Sequence, residues 1–261
     1  MSEITLEALF EAGVHLGHQS NAWHPKMAAW IYGEQDGTHI FDLAKTKEQL
    51  EKARDYAKKL AAEGKTLVVV GAKKQASEIV ERAATEAGAM YIVNRWPGGL
   101  ISNWEQVSKS IKRMNTVSKG LVDGAYREYT KYERVQLEKE LARLTRLFGG
   151  IKDLSKEPDA LFIVDLNREK NATKEALTGG IPIVALTDSN VNPTGVVVPI
   201  PGNDDALSSI TVVVDYVLAG YAEGKKGAKK EGSVTATETV TEKKPEATET
   251  VKAVKSEGGK E

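Results

Sequence analysis

Cysteine is absent from this sequence of 261 residues, and no apolar run is long enough to cross a bilayer. Without cysteine, the chain can form neither disulfides nor thiolate metal sites, and it has no cysteine nucleophile. A spanning helix needs about 20 apolar residues, whereas the most apolar stretch, residues 210–222, is interrupted by Asp215. The amino-terminal residues also lack the basic and then apolar segments of a signal peptide. We therefore expect an intracellular protein without a membrane partner.

The sequence also lacks the strong positive charge that usually marks a nucleic-acid-binding domain, because its formal net charge is only −1. The charges are unevenly distributed, however. Residues 105–148 include ten basic and six acidic side chains, so the rest of the chain is acidic overall. A basic segment on an otherwise acidic protein indicates two different partners.

Short apolar runs bounded by Gly, Pro and Asn alternate with helix-like segments, which predicts buried parallel strands. The predicted strands are 66–70, 90–93, 160–165, 181–186 and 196–200, and the predicted helices between and after them are 73–87, 170–178 and 204–222. This order predicts an α/β fold, a doubly wound, flavodoxin- or Rossmann-like sheet of about five parallel strands. Before it we predict a helix over 5–12, a loop over 12–27, a hairpin with strands 30–32 and 39–41, and a helix that a capping box at Thr46 begins.

Residues 105–148 break this alternation with a heptad-like pattern. The apolar positions are Val107, Ile111, Met114 and Leu121, with Ser118 in one slot, and then Leu137, Leu141, Leu144 and Phe148. Gly120 and Gly124 lie between the two series, so the pattern predicts an inserted α-helical coiled-coil hairpin. Its outer faces carry Lys109, Lys112, Arg113, Lys119, Arg127, Lys131, Arg134, Lys139, Arg143 and Arg146. A solvated face explains such charges in an isolated helix, but their concentration on one arm favours contact with RNA.

These patterns divide the chain into three parts. Residues 1–104 and 149–222 form the α/β globular domain with its amino-terminal extension, and residues 105–148 form the inserted hairpin. From Glu223 onward the chain is rich in Lys, Glu, Thr and Ala and contains no aromatic residue. Such a segment buries too little apolar surface to offset its ordering entropy, so we predict a disordered tail over 223–261.

The evidence for an enzyme is weak. No G-x-G-x-x-G turn follows the first strand of the α/β part, although the helix that begins there could hold a phosphate beside Lys73 and Lys74. An ordinary turn with exposed lysines explains the same residues equally well. Asp188, Asp204 and Asp205 follow adjacent strands and could hold a Mg²⁺ ion, or the last two could simply complement the dipole of the final helix. We favour the second interpretation and expect no catalytic residue, although a structural Mg or Zn ion stays possible.

Several loops combine aromatic, amide and cationic side chains beside glycines. These residues are Trp23, His24, Lys26, Asn94, Arg95, Trp96, Asn103 and Trp104. Such a mixture suits stacking on bases and hydrogen bonds to phosphates or 2′-hydroxyls. It also suits packing within the protein, because tryptophan is usually largely buried.

Four long motifs resemble the bacterial small-subunit ribosomal protein S2 family in order and spacing. They are AGVHLGHQSNAWHPKM (12–27), NRWPGGLISNW (94–104), GGIKDLSKEPDALFIVDLNREKNATKEA (149–176) and IPIVALTDSNVNPTGVVVPIPGNDDA (181–206). The resemblance covers about residues 3–222. It implies a structural component of the small ribosomal subunit in the cytoplasm, located between head and body, and not an enzyme.

The same resemblance implies partners. They are small-subunit rRNA, neighbouring small-subunit proteins, and ribosomal protein S1, which members of the family help to recruit; no cofactor or small-molecule substrate is implied. With the loop and arm chemistry, it makes these residues candidates for rRNA contact: His18, Gln19, Trp23, Lys26, Lys73, Lys74, Asn94, Arg95, Trp96, Lys109, Lys112, Arg113, Lys131 and Arg134. Two alternatives stay open, a nucleotide- or sugar-phosphate-binding enzyme on the same fold and a coiled-coil module that binds a partner helix.

Overall fold

The computed structural model describes the backbone of residues 4–238 and the side chains of residues 4–228. The amino-terminal part contains α1 (Leu6–Glu11), β1 (Leu16–Gln19), β2 (Ile31–Gln35), β3 (Thr38–Phe41) and α2 (Leu43–Ala62). The predicted hairpin is present as β2 and β3, which pair antiparallel. Residues 16–19, predicted as loop, form a third strand of this small sheet, because β1 pairs with β3. A four-residue edge strand has too little alternation to be recognised from sequence.

The rest of the chain forms the α/β domain and its insertion. In chain order the elements are β4 (Leu67–Val70), α3 (Lys74–Ala87), β5 (Met90–Ile92), α4 (Trp104–Asp123), α5 (Lys131–Phe148), β6 (Ala160–Val164), α6 (Lys170–Gly179), β7 (Ile183–Thr187), β8 (Val198–Pro201) and α7 (Leu207–Glu238). The five strands are all parallel, in the order β5-β4-β6-β7-β8. The predicted fold class is therefore confirmed, and the strand order is that of flavodoxin-like doubly wound folds.

Alternate residues of each strand face two separate apolar layers. Leu67 and Val69 of β4 belong to the layer that α2, α3 and α7 cover. Val68 and Val70 belong to the layer that α6 and the bases of α4 and α5 cover. Because both faces are covered, all four residues are at most 1% exposed. This explains why the strands appear in the sequence as continuous apolar runs.

Helices α4 and α5 form the inserted helical hairpin. Its seam includes Val107, Ile111 and Met114, as predicted, but the next buried position is Val117 and not Ser118, which is exposed. The helix keeps a period near 3.6 residues, so the buried stripe moves back by one position relative to a strict heptad. The end of the hairpin nearest the sheet is part of the domain core, where Leu144 and Phe148 pack with Trp96 and Ile92.

Two predicted helix boundaries are wrong. Asp42 caps α2 by accepting a hydrogen bond from the backbone N–H of Ala44, whereas the hydroxyl of Thr46 donates to the carbonyl of Pro201 on β8. At the other end, α7 continues past the predicted boundary at 222 to Glu238. Glu223, the first residue of this extension, pairs with Arg54 of α2. The disorder predicted from residue 223 onward stays a prediction. The rest of the predicted tail, 239–261, lies outside the described residues.

Within residues 4–238, no helix combines the length and the apolarity that a bilayer crossing requires.

Candidate functional site

The carboxyl ends of the parallel strands carry a cluster of charged side chains that meet at one edge of the sheet. Lys73 follows β4, Asp165 follows β6, Asp188 follows β7, and Asp204 and Asp205 follow β8. The strand order reverses between β4 and β6, and this switch point is where doubly wound enzymes bind their ligands. What fills the crevice here therefore decides between an enzyme and a scaffold.

Lys73 occupies the switch point. Its Nζ lies 3.2 Å from Oδ2 of Asp165, 2.7 Å from Oδ1 of Asp204 and 2.6 Å from Oδ1 of Asp205. The residue is only 8% exposed. One ammonium group thus joins β4, β6 and the loop after β8, which spans the sheet. The sequence suggested that Lys73 could meet an RNA phosphate or a ligand, but its burial among three carboxylates removes it from the surface.

His18 is the second cation of the cluster. Its Nδ1 lies 2.9 Å from Oδ1 of Asp188, and its Nε2 lies 3.6 Å from Oδ2 of Asp205. The backbone N–H of His18 also donates to Oγ of Ser189. His18 belongs to β1, so these contacts attach the small antiparallel sheet to the edge of the parallel one. A bond between β1 and the β7 turn is a structural role, which sequence reasoning did not assign.

The ionisation of these groups follows from their packing. Burial, together with the charges of Asp188 and Asp165, raises the pKa of Asp204 to about 7, and Lys73 offsets only part of that rise. The hydrogen bond to Asp188 raises the pKa of His18 to about 9, although burial opposes it. Burial also lowers the pKa of Lys73, but its hydrogen bonds to Asp204 and Asp205 outweigh this effect and leave the pKa above its ordinary value. The cluster therefore retains two cations at neutral pH.

This arrangement leaves little room for nucleotide chemistry. Glu169 accepts a hydrogen bond from the backbone N–H of Ala72, so a group at the amino end of α3 that could bind phosphate already has a partner. The carboxylates suggested as a Mg²⁺ site, Asp188, Asp204 and Asp205, instead contact Lys73 and His18. In the part of the chain that the structure describes, no group of three or more His, Asp or Glu side chains is arranged to hold a metal ion.

Asn203 organises the loop before α7. Its Oδ1 accepts hydrogen bonds from the backbone N–H groups of Asp205 and Ala206, and its Nδ2 donates to the carbonyl of Gly13. Asp204 does not cap the helix, because its carboxylate faces Lys73. The turn therefore directs one acid inward and leaves the other, Asp205, half exposed.

The loop residues predicted to contact RNA divide into exposed and buried groups. Gln19, Trp23, Lys26, Lys74, Asn94 and Arg95 are exposed. Lys26 donates to Oγ1 of Thr194, and Nδ2 of Asn94 donates to the carbonyl of Arg146. Trp96 is 5% exposed and belongs to the core, and its Nε1 has no hydrogen-bond partner among the described residues. The core interpretation is correct for Trp96, which cannot stack on a base from that position.

The hairpin presents most of its positive charge to solvent. Two of the predicted contacts form ion pairs: Lys109 with Glu105, and Arg113 with Glu140 of the opposite helix, through Nε at 3.1 Å and Nη2 at 3.0 Å. Arg113 therefore fastens α4 to α5. Lys112, Lys131 and Arg134, the other predicted contacts of the arm, are exposed.

A continuous cationic stripe runs along α5, which we call the outer stripe. It consists of Lys139, Arg143 and Arg146, all exposed and spaced by four and three residues. At 3.6 residues per turn, they lie on one face, roughly opposite the buried residues Leu144 and Phe148. The sequence named all three as outer residues without selecting them as contacts. Their spacing of four and three residues, out of phase with the apolar seam, was the sequence signal that would have selected them as contacts.

An ionic cluster of the protein's own side chains at the switch point and an exposed basic arm define a scaffold-type α/β protein. Comparison with known proteins gives the family. The family model described as Ribosomal protein S2 matches residues 9–224, and the chain belongs to this family. This family consists of structural ribosomal proteins and not of enzymes, in agreement with the prediction.

Individual relatives support the same assignment. The chain is 43% identical over 230 residues to the small ribosomal subunit protein uS2 of Koribacter versatilis, covering 88% of this chain and 76% of the relative. It is 41% identical over 234 residues to small ribosomal subunit protein uS2 of Dictyoglomus thermophilum, covering 90% and 95% of the two chains. A third such protein, from Fusobacterium nucleatum, is 39% identical over 231 residues.

Proposed function

We propose that this protein is a structural component of the small ribosomal subunit in the cytoplasm and binds small-subunit rRNA chiefly through the hairpin. The observation that carries the proposal is the outer stripe, three exposed cations in line on a projecting arm. Lysine and arginine on such a face neutralise phosphates and release counterions, which gives affinity without base specificity. The exposed loop residues Lys26, Lys74 and Arg95 supply further cations on the α/β domain.

The role of the α/β domain in this proposal is to hold the arm in a fixed orientation. The base of the hairpin is embedded in the core through Val107, Leu144 and Phe148. The ion pair of Arg113 with Glu140 stiffens it further out. A rigid arm loses little conformational entropy when it binds, so its charges act together.

We also propose that the protein supports the recruitment of ribosomal protein S1 and contacts neighbouring small-subunit proteins. Family membership supports this part, together with the acidic balance of the chain outside the hairpin, which suits a protein partner better than RNA. Small-subunit particles assembled without this chain should contain less ribosomal protein S1 after sedimentation. Equal amounts of that protein with and without the chain would contradict the recruitment role.

The test of rRNA binding is sedimentation of the full chain with small-subunit particles at increasing salt. Replacing Lys139, Arg143 and Arg146 together by Glu is expected to weaken association. The slope of log affinity against log salt should fall by about two to three, since each lost phosphate contact removes about 0.7 to 0.9. Arg113 is a poor choice for this test, because its replacement also breaks the pair with Glu140.

A matched control reverses three exposed lysines outside the hairpin, Lys59, Lys170 and Lys226. The change in net charge is identical, so a general electrostatic effect would appear in both variants. If the control weakens association as much as the outer-stripe variant does, the arm has no special part in binding. Helical content and thermal unfolding should be unchanged in both.

A further inference from the structure

The hairpin ends in a turn whose backbone groups are held by hydrogen bonds. Gly124 ends α4 in the left-handed region, with φ at 74°, and its N–H donates to the carbonyl of Gly120. The N–H of Ala125 donates to the same carbonyl over 2.9 Å. Thr130 then begins α5 through a reciprocal capping box with Glu133. The turn is therefore a preformed surface, and residues on it keep their positions without a partner.

Two exposed tyrosine rings, Tyr129 and Tyr132, lie at this end of the hairpin, and a third tyrosine, Tyr126, supports the first. The ring of Tyr126 covers Gly120, where a Cβ atom would lie only 2.6 Å from it. Tyr129 meets Tyr126 edge to face, with ring centroids 5.1 Å apart and planes at 65°. Tyr129 is nevertheless 46% exposed, and Tyr132, on the first turn of α5, is 72% exposed. Aromatic rings held in place and open to water at the end of an arm are typical of a binding surface.

Tyr132 continues the outer stripe of α5. It precedes Lys139 by seven residues, and Arg143 and Arg146 follow at steps of four and three, so all four share one face of the helix. At a rise of 1.5 Å per residue, this row is about 21 Å long. A strand of RNA whose phosphates follow the cations would therefore bring a base to the ring of Tyr132.

The surroundings of the rings favour RNA over a protein. Arg127 lies in the turn, Lys131 and Arg134 lie in the first turn of α5, and all three are exposed. The exposed carboxylates of Asp123, Glu128 and Glu133 lie at the same end. The ion pairs that the described residues of the hairpin form involve Lys109 and Arg113 and none of these three. Val122 is the one large aliphatic side chain among the exposed apolar residues of this end. Rings beside cations can stack on bases while the cations meet phosphates. A single valine gives no apolar groove for a docking helix.

We propose that the end of the hairpin binds unpaired nucleotides by stacking their bases on Tyr132 and Tyr129. The inference rests on the proposed function, because it assigns a second mode of contact to the same RNA-binding arm. The two modes differ physically. The cations of the outer stripe respond to salt and accept any phosphate, whereas the rings require a base that is free of its own stack.

The test uses the full chain, a labelled oligouridylate as the single-stranded probe and a fully paired RNA duplex as the second probe. Replacing Tyr129 and Tyr132 together by Leu should weaken oligouridylate binding about tenfold or more. The salt slope for oligouridylate and the affinity for the duplex should stay unchanged. The double Phe variant keeps both rings and should bind both probes like the unaltered chain.

The outcomes separate stacking from its alternatives. Equal oligouridylate affinity of the Leu variant and the unaltered chain, or no binding by the unaltered chain, would overturn the proposal. A Leu variant that keeps oligouridylate binding but dissociates from small-subunit particles would show that the rings dock a protein. Failure of the unaltered chain to associate with particles would instead refute the proposed function. Unchanged helical content in the Leu variant excludes a folding defect.

Discussion

The Nζ of Lys73 lies 2.7 Å from Oδ1 of Asp204, although the two residues are 131 positions apart in the chain. Lys73 follows the first strand of the parallel sheet, and Asp204 follows the last. The pair therefore closes the carboxyl edge of the sheet from the side where an enzyme of this fold would admit its substrate. In this protein, ion pairs between the protein's own side chains occupy that edge.

Replacing Lys73 by Met is expected to destabilise the protein by about 3 kcal/mol near pH 8, because it leaves buried carboxylates without their cation. The loss should be smaller near pH 5, where Asp204, whose pKa is already raised to about 7, can take up a proton. Urea unfolding at the two pH values measures both effects. Lys74→Met, at the exposed neighbour, should change stability by less than about 0.5 kcal/mol. Equal stability of the two variants would contradict the buried role of Lys73.

His18 should make stability depend on pH. Its pKa is raised from 6.5 to about 9 in the folded protein, so the stabilisation is fully present below about pH 6.5 and is lost as pH rises through 9. Because the side chain is 30% exposed, we expect about 1–2 kcal/mol and not the full value of the shift. Urea unfolding of His18→Gln should show a deficit below pH 6.5 that disappears by about pH 10.

The control for this experiment is Gln19→Ala. Gln19 is the exposed neighbour of His18 on β1 and carries no titratable group, so any change in stability should be the same at every pH in this range. A deficit for His18→Gln that is the same at every pH would show that the bond to Asp188 does not depend on the charge of His18.

The parallel sheet and the hairpin could be predicted from sequence because both depend on local patterns. Continuous apolar runs such as Leu67–Val70 indicate strands covered on both faces, and the spacing of Val107, Ile111 and Met114 indicates a buried helical stripe. The phase of that stripe beyond Met114 was not predictable from a strict heptad. Val117 and Ser118 are adjacent, and the period of about 3.6 residues places Val117 in the buried stripe and Ser118 on the surface.

The charged cluster could not be predicted, because its contacts depend on the order of strands in the sheet. Lys73 would be exposed if β4 were an edge strand; it is buried because β6 lies beside β4 and brings Asp165 to it. The capping box assigned to Thr46 was wrong for a local reason. Asp42 caps the helix, and the backbone N–H of Thr46 already donates to the carbonyl of Asp42, so Thr46 lies inside the first turns. Its hydroxyl is within hydrogen-bond distance of the carbonyls of Asp42 and Pro201.

The packing of the end of the hairpin against β5 can be tested by substituting two adjacent glycines, Gly149 and Gly150. A Cβ atom at Gly150 would collide with the backbone carbonyl of Tyr91, which cannot move without disturbing the edge strand. Gly150→Ala should therefore destabilise the protein by about 2–3 kcal/mol. Gly149→Ala is the control, because its Cβ would meet only the methyl group of Thr145 at 3.3 Å and should cost less than about 1 kcal/mol. Thermal unfolding ranks the two, and the reverse order would show that the hairpin is not seated on Tyr91.

The continuation of α7 beyond residue 222 predicts opposite effects at two glycines three residues apart. Gly224 is buried against α2, where a Cβ atom would collide with the carbonyl of Lys58 and lie 2.8 Å from Cβ of Ala61. Gly224→Ala should therefore lower the free energy of unfolding by about 1–3 kcal/mol. Gly227 has no atom within 4 Å of an added Cβ.

Gly227→Ala should raise the free energy of unfolding by about 0.5–1 kcal/mol, because alanine favours the helix over glycine and meets no obstacle. Urea unfolding of both variants measures the two signs in one experiment. If 223–228 were unstructured, as the composition of this segment suggested, neither substitution would change stability. Opposite signs therefore require a helix packed on α2 at Gly224 and open to solvent at Gly227.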